Sequence, residues 1–240
     1  SLVHMFATTR RNLGSADSRF VGAVESDGSW VIDFAKTLQV LRESIAPSRP
    51  IVLMGTAFLF VHLLDHLESS QLSCRLSPGS RVLETGGYKG RSRSMPKPEL
   101  HQRLTSSLGI PASHVVCEYG MSELSSQAYD GIAGVASSPA APKTPSVGQC
   151  FRFPPWARAR VICPETGREA GEGETGLLRV FDLANIHSIA AVQTEDLGGA
   201  KALWQQKGTF TVTTGVNLPE LVSVTPSSGS GSYVTFAAVY

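Results

Sequence analysis

Three observations predict an α/β protein with a mostly parallel sheet, flanking helices and a smaller β-rich subdomain after them. Short apolar runs alternate with helically spaced segments from Asp33 to Glu123, and each run ends in a polar, glycine-bearing turn. Past residue 132 the helical spacing gives way to short alternating runs parted by turn-rich connections. Strand–helix–strand alternation is the mark of parallel strands joined by right-handed crossovers. Alternating runs joined by Gly-rich turns instead mark antiparallel pairs.

The first helix is predicted over 33–46, where Phe34, Leu38, Leu41 and Ile45 share a face and Pro47 and Pro50 close the segment. Ile51-Val52-Leu53-Met54 is a strand ending at Gly55-Thr56, and a Leu- and Phe-rich helix succeeds it over 57–69. Pro78-Gly79 turns the chain into a second strand, Arg81 to Glu84, which ends at Thr85-Gly86-Gly87. Helix 97–108 places Leu100, Leu104 and Leu108 on one face and stops at Gly109. The third strand, His114 to Cys117, runs into Glu118-Tyr119-Gly120-Met121-Ser122-Glu123, where the spacing predicts a new helix beginning at Ser122. GVASSPAAPKTPSVG reads as a linker. Trp156 to Ile162 and Gly176 to Phe181 then read as an antiparallel pair, and Ala190 to Gln193 leads into a turn at Thr194-Glu195-Asp196-Leu197-Gly198. The division is therefore an α/β core over 1–132, a β-rich subdomain over 133–198 and an atypical Thr/Ser/Gly/Val-rich tail over 199–240. Within the tail, 208–216 alternates like a strand and 225–232 resembles a flexible linker. Nothing in its pattern ties it to the rest, and a frameshifted or replaced C-terminus is one reading of it.

Composition narrows the function. The 240 residues carry a formal net charge of +1 and are 42% hydrophobic, a globular balance without the basic face that nucleic-acid binding calls for. The longest apolar run, 51–64, is shorter than the ~20 residues of a membrane span. Cys74, Cys117, Cys150 and Cys163 are scattered without CxxC spacing, which argues against zinc and suits a reducing cytoplasm. The N-terminal SLVHMFATTRRNLG lacks the order of a secretory signal and reads like the interior of a longer protein.

In a parallel sheet the carboxyl ends of the strands share one edge, where ligands of open α/β sheets bind. The turns at 55–56, 85–87 and 119–123 are thus expected to converge. Tyr119 offers a flat ring for stacking, Gly120 permits close backbone approach, Ser122 offers a hydroxyl with free N–H groups for phosphate, and Glu123 offers oxygen to a hard divalent ion. The same residues equally suit a plain helix cap. Gly86-Gly87, with Lys89, Arg91 and Arg93 beyond, allow main chain to lie against a planar base, or make an ordinary glycine-rich connection. Asp196 can accept bonds from sugar hydroxyls or form an Asx-turn. His62 and His66 have the i, i+4 spacing of a zinc pair, but their apolar helix and the missing glutamate favour packing. Gly120-Met121-Ser122-Glu123-Leu124 has the serine of a hydrolase elbow, with Leu124 where that motif has its second glycine.

Taken together and in order, GTAFLFVHLLDHL, ETGGYKGRSR, HVVCEYGMSELSSQAYD, GETGLLRVFD and QTEDLG resemble the adenylate-forming superfamily. More narrowly they resemble the acyl-protein synthetases, whose founding member serves fatty-acid reduction in bacterial bioluminescence. The resemblance covers residues 1–198 and leaves 199–240 unmatched. It implies an adenylate-forming fold, here incomplete, that uses ATP and Mg²⁺. Gly86 and Gly87, with Tyr88 beside them, would lie along adenine on one side and Tyr119 on the other. Gly120 and Met121 would complete the nucleotide-binding turn. Ser122 would contact phosphate, Glu123 would help hold Mg²⁺, and Asp196 would hold the ribose hydroxyls, with Ser122 and Glu123 as the catalytic residues. The implied reaction activates a long-chain fatty acid or other carboxylate to acyl-AMP and passes the acyl group to a thiol, on a protein cysteine or coenzyme A. An acyl reductase is the implied partner. The Ser/Thr/Gly-rich phosphate loop, the C-terminal lid with its lysine and the acyl-accepting cysteine of the family are not recognisable here. The chain is therefore expected to bind ATP weakly and turn over little by itself. A hydrolase using Ser122, and a non-catalytic nucleotide-binding or interaction module, are the alternatives.

Overall fold

The computed structural model describes residues 2–26, 28, 30–45, 48–88, 92–131, 133, 150–199, 209–212 and 232–235. Among them the helices are α1 (Leu2–Leu13), α2 (Phe34–Ile45), α3 (Ala57–Ser69) and α4 (Lys97–Leu108). The strands are β1 (Arg19–Phe20), β2 (Gly22–Val24), β3 (Trp30–Ile32), β4 (Ile51–Thr56), β5 (Arg81–Thr85), β6 (Val115–Tyr119), β7 (Ala128–Tyr129), β8 (Cys150–Arg152), β9 (Ala157–Ile162), β10 (Thr175–Asp182), β11 (Ala191–Gly199), β12 (Thr209–Val212) and β13 (Ser232–Thr235). They fall into two compact units. One is built on residues up to 116 together with 232–235, the other on 117–131, 150–199 and 209–212.

In the first unit the strands run β1–β13–β4–β5, with every neighbour parallel. The predicted mostly parallel sheet is therefore present, and the tail supplies one of its strands: β13 lies between β1 and β4, pairing Tyr233 with Val52. The rest of the tail's predicted linker, 225–231, lies outside the described residues, as does nearly all of GVASSPAAPKTPSVG. Helices α2, α3 and α4 form within a residue of their predicted bounds. Most of α3 is apolar and covered: Phe58, Phe60, Val61, Leu63, Leu64 and Leu67 are all buried in one cluster with β4 and α4, while Asp65 and Glu68 form a polar strip that pairs with Arg93 and Arg103. Its two histidines stack on aromatic rings, His66 on Phe34 at 4.1 Å and His62 edge-on to Phe58 at 6.2 Å, the packing role that the apolar setting favours. Helix α4 stops at Gly109, which takes the left-handed conformation at φ 69° and returns its N–H to the Thr105 carbonyl.

The join between β5 and α4 is ionic. Glu84, wholly buried on β5, pairs with Lys97 and meets His101 Nε2 at 3.3 Å, both from α4. Burial alone would push the Glu84 carboxyl up, but Lys97 and His101 outweigh it and hold it at about 2, against 4.5 for an ordinary glutamate.

The second unit is antiparallel. Its sheet runs β8–β12–β11–β10–β9, so the predicted pair β9 and β10 forms with Leu177 opposite Ile162 and Asp182 opposite Ala157. No helix among the described residues is long and apolar enough to cross a membrane.

Because the Glu84 carboxyl is depressed in the folded state, its contribution is complete above pH 4.5 and is lost as pH falls toward 2. Glu84→Gln is expected to cost about 3 kcal/mol near neutral pH, since it strands one member of a buried pair. Denaturant melts of both proteins at pH 7 and pH 3 test this, with the gap narrowing at the lower pH.

Candidate functional site

Strand β6 carries the chain into the second unit, and the segment after Tyr119 departs from the predicted helix. No helix begins at Ser122. Residues 120–127 form a turn, and the chain then doubles back as β7, antiparallel to β6, with Glu118 opposite Tyr129. A hydrolase elbow needs a strand-to-helix turn, so that alternative loses its scaffold here. The physical reason for the missing helix lies in the partners of the turn's N–H groups. In a helix begun at Ser122 the Ser126 N–H would bond back to the Ser122 carbonyl, whereas here Asp182 takes it together with the Ser125 N–H. Its Oδ2 accepts from the N–H groups of Ser125 (2.9 Å) and Ser126 (2.6 Å), and its Oδ1 accepts from the Ser126 hydroxyl (2.7 Å). Trp156 Nε1 donates to the same hydroxyl oxygen at 2.9 Å. Asn185 Nδ2 donates to the Glu123 carbonyl at 2.7 Å and to that of Ile189 at 2.9 Å, while its Oδ1 accepts from the Ser125 hydroxyl at 3.1 Å.

Ser122 and Glu123 stand exposed at the head of this turn, with the Ser122 hydroxyl donating to the Glu123 carboxylate at 3.2 Å. Gly120 is close-packed: a Cβ there would come within 2.6 Å of Glu118 Oε1. Met121 and Leu124 pack onto the unit's own core.

Asp196 also departs from its predicted turn. Thr194, Glu195 and Asp196 belong to the continuous strand β11, but as a bulge, since Gln193 pairs with Arg179 and Leu197 with Leu177. Thr194 Oγ1 donates to the Leu178 carbonyl at 2.9 Å and accepts from the Asp196 N–H at 3.1 Å, which fixes the bulge. Such bulges re-aim a side chain out of the ladder. Burial pushes the Asp196 carboxyl above the ordinary aspartate value, the Tyr119 hydroxyl partly opposes this, and neighbouring Glu195 adds to the rise.

Tyr119 and Asp196 both belong to the second unit, the same compact body as Gly120, Met121, Ser122 and Glu123. Gly86, Gly87 and Tyr88 belong to the first unit. Gly86 adopts φ 65°, and its carbonyl accepts from Lys97 at 3.4 Å. Tyr88 lies in the first unit's core with its hydroxyl donating to the Met95 carbonyl at 2.7 Å, so its ring serves packing. Tyr119 likewise has no exposed surface and packs edge-on to Phe153 at 5.9 Å, which differs from the expected open stacking face. Sequence reasoning missed Asp182 and Asn185. Asp182 ends a strand whose alternation was visible, and an acidic residue at a buried alternation position is the signal that was there to read.

The chain thus joins an α/β unit with polar turns at its strand ends to an antiparallel β unit. The chain belongs to the family described as acyl-protein synthetase, LuxE, whose model matches residues 4–213. A curated relative, the long-chain-fatty-acid–luciferin-component ligase of Aliivibrio fischeri, is 22% identical over 174 residues. The match takes in 72% of this chain and 42% of that protein, so the chain spans less than half the length of its relative. Among solved structures, that of McyG A-PCP with phenylalanyl-adenylate is 19% identical with a TM-score of 0.49, over 76% of this chain and 30% of the other. Apo MatB from Rhodopseudomonas palustris is 17% identical with a TM-score of 0.46, over 75% of this chain and 33% of the other.

Since the folded state holds the Asp196 carboxyl above 3.8, ionising it costs stability, and that cost appears as pH rises through the interval above 3.8. Asp196→Asn keeps an oxygen for Tyr119 and removes the cost. The variant is expected to melt higher than the parent at pH 7 and to lose that advantage below pH 3.8, as thermal melts across pH would record.

Proposed function

We propose that the chain supplies the nucleotide-handling part of an enzyme that activates a long-chain fatty acid with ATP and hands the acyl group to a thiol. Family membership supports the reaction class, and the relative named as a long-chain-fatty-acid ligase supports the substrate. The structural observation that supports the reading is that Asp196 stands on a bulge of β11 in the same compact unit as Tyr119 and the Gly120–Glu123 turn.

In the first step a carboxylate oxygen attacks the α-phosphorus of ATP and the bond to pyrophosphate breaks, giving acyl-AMP and pyrophosphate. In the second, a thiolate attacks the acyl carbon and AMP leaves. Asp196 accepts bonds from the ribose hydroxyls, with Tyr119 orienting it from within the core. Backbone N–H groups of the Gly120–Glu123 turn and the Ser122 hydroxyl face the phosphates. Glu123 and Ser122, an exposed pair of oxygen donors, suit a hard divalent ion and are the residues that would hold Mg²⁺. When bound, the ion offsets charge developing on the phosphoryl oxygens. The thiol acceptor is a protein cysteine or coenzyme A, and in a luminescence-type system the acyl group passes on to a reductase. A cytoplasmic setting suits this chemistry.

The test is titration of the chain with MgATP, followed by fatty-acid-dependent exchange of pyrophosphate into ATP. Binding is expected, and Asp196→Ala should weaken it by about 10- to 100-fold, the value of hydrogen bonds to a charged group. Equal affinity in parent and variant would remove Asp196 from the site.

A further inference from the structure

Resting on that reading, we infer that Asp182, assisted by Asn185, is the positioning residue that gives the Ser122–Glu123 turn its ligand-ready shape. The turn belongs to neither helix nor ladder. Met121 and Leu124 anchor its apolar side on the unit's core, while Ser122 and Glu123 are exposed. Polar bonds shape the rest, and beside Trp156 on the Ser126 hydroxyl they converge on two side chains.

Asp182 has no exposed surface, and both its oxygens are fully engaged: Ser125 N–H and Ser126 N–H on Oδ2, the Ser126 hydroxyl and the Ala184 N–H (3.0 Å) on Oδ1. Four acceptor positions are all that a carboxylate offers. Asn185, 7% exposed, bridges the same segment to the Glu123 carbonyl, so its amide grips the residue proposed to hold the ion. A carboxylate spent on neutral donors in the interior is costly unless each bond is made. Neither residue contacts the nucleotide; both act through the turn.

The test uses the full 240-residue chain as parent, Asp182→Ala, Asp182→Asn and, as the variant least prone to misfolding, Asn185→Ala. Hydrogen exchange is read for residues 121–126 and, as an internal reference, for β9, alongside MgATP titration. Asp182→Ala and Asn185→Ala are expected to speed exchange of the turn at least about tenfold while β9 keeps its protection. They should also weaken MgATP by a similar factor, with Asp182→Asn, which keeps one oxygen for the two serine N–H groups, recovering much of the loss. Unchanged exchange of the turn overturns the inference. Faster exchange with unchanged MgATP affinity overturns it too, by making the bonds structural only. A parent that binds no MgATP defeats the nucleotide reading, and the exchange arm still decides whether Asp182 shapes the turn.

Discussion

The second unit depends on how the backbone donors of one turn are satisfied. Residues 120–127 leave β6 without entering a helix, and donors without partners would each cost on the order of 1–3 kcal/mol if buried. Asp182 meets that demand from the end of β10, a strand far along the chain. The consequence reaches further than the turn. Because β10 is also paired with β9 on one side and β11 on the other, the same strand that anchors Asp182 sets the register of the bulge that carries Asp196. Turn and bulge are thus referred to one rigid element, which is how groups from distant stretches of sequence are held in fixed relation.

The first unit uses its buried carboxylate in the opposite way. Glu84 meets charged partners, and its role is to clamp α4 to β5. Asp182 meets neutral donors, and its role is to shape a loop. The contrast arises from the needs of each place. A helix docking on a sheet by an apolar face can slide along it, and an ion pair at one end fixes the axial position. A polar turn has no face to slide, and needs its backbone groups individually matched.

Much of this was legible from residues alone. The three central helices and the strands β4, β5, β9 and β10 follow from apolar spacing because each buries one continuous face, and Gly109 ends α4 for the conformational reason expected. The missed features share one cause: long-range partners overrode local preference. Ser122-Glu123 looks like a helix start locally, but the N–H groups just beyond it were already claimed by Asp182. Thr194-Glu195-Asp196 looks like a turn locally, but the Thr194 hydroxyl bonds the facing strand and keeps the segment in the sheet as a bulge. The resemblance implied a ligand contact for Tyr88, yet its hydroxyl had a carbonyl waiting at Met95. The strand at 232–235 was not legible because parallel pairing beside β4 leaves no signal in a short stretch of Ser, Tyr, Val and Thr.

Asp196 sets a different demand on the fold. A carboxylate half withdrawn from water, with its charge disfavoured by burial and by Glu195, is a poor contributor to stability. Tyr119 only partly offsets this, from a position so enclosed that its ring cannot adjust. A surface position one residue away on the same strand would have been cheaper. Any hydrogen-bond donor brought to Asp196 favours the charged form and lowers the carboxyl back toward its ordinary range, and the bulge in β11 is the structural means by which the cost of that charge is kept in place.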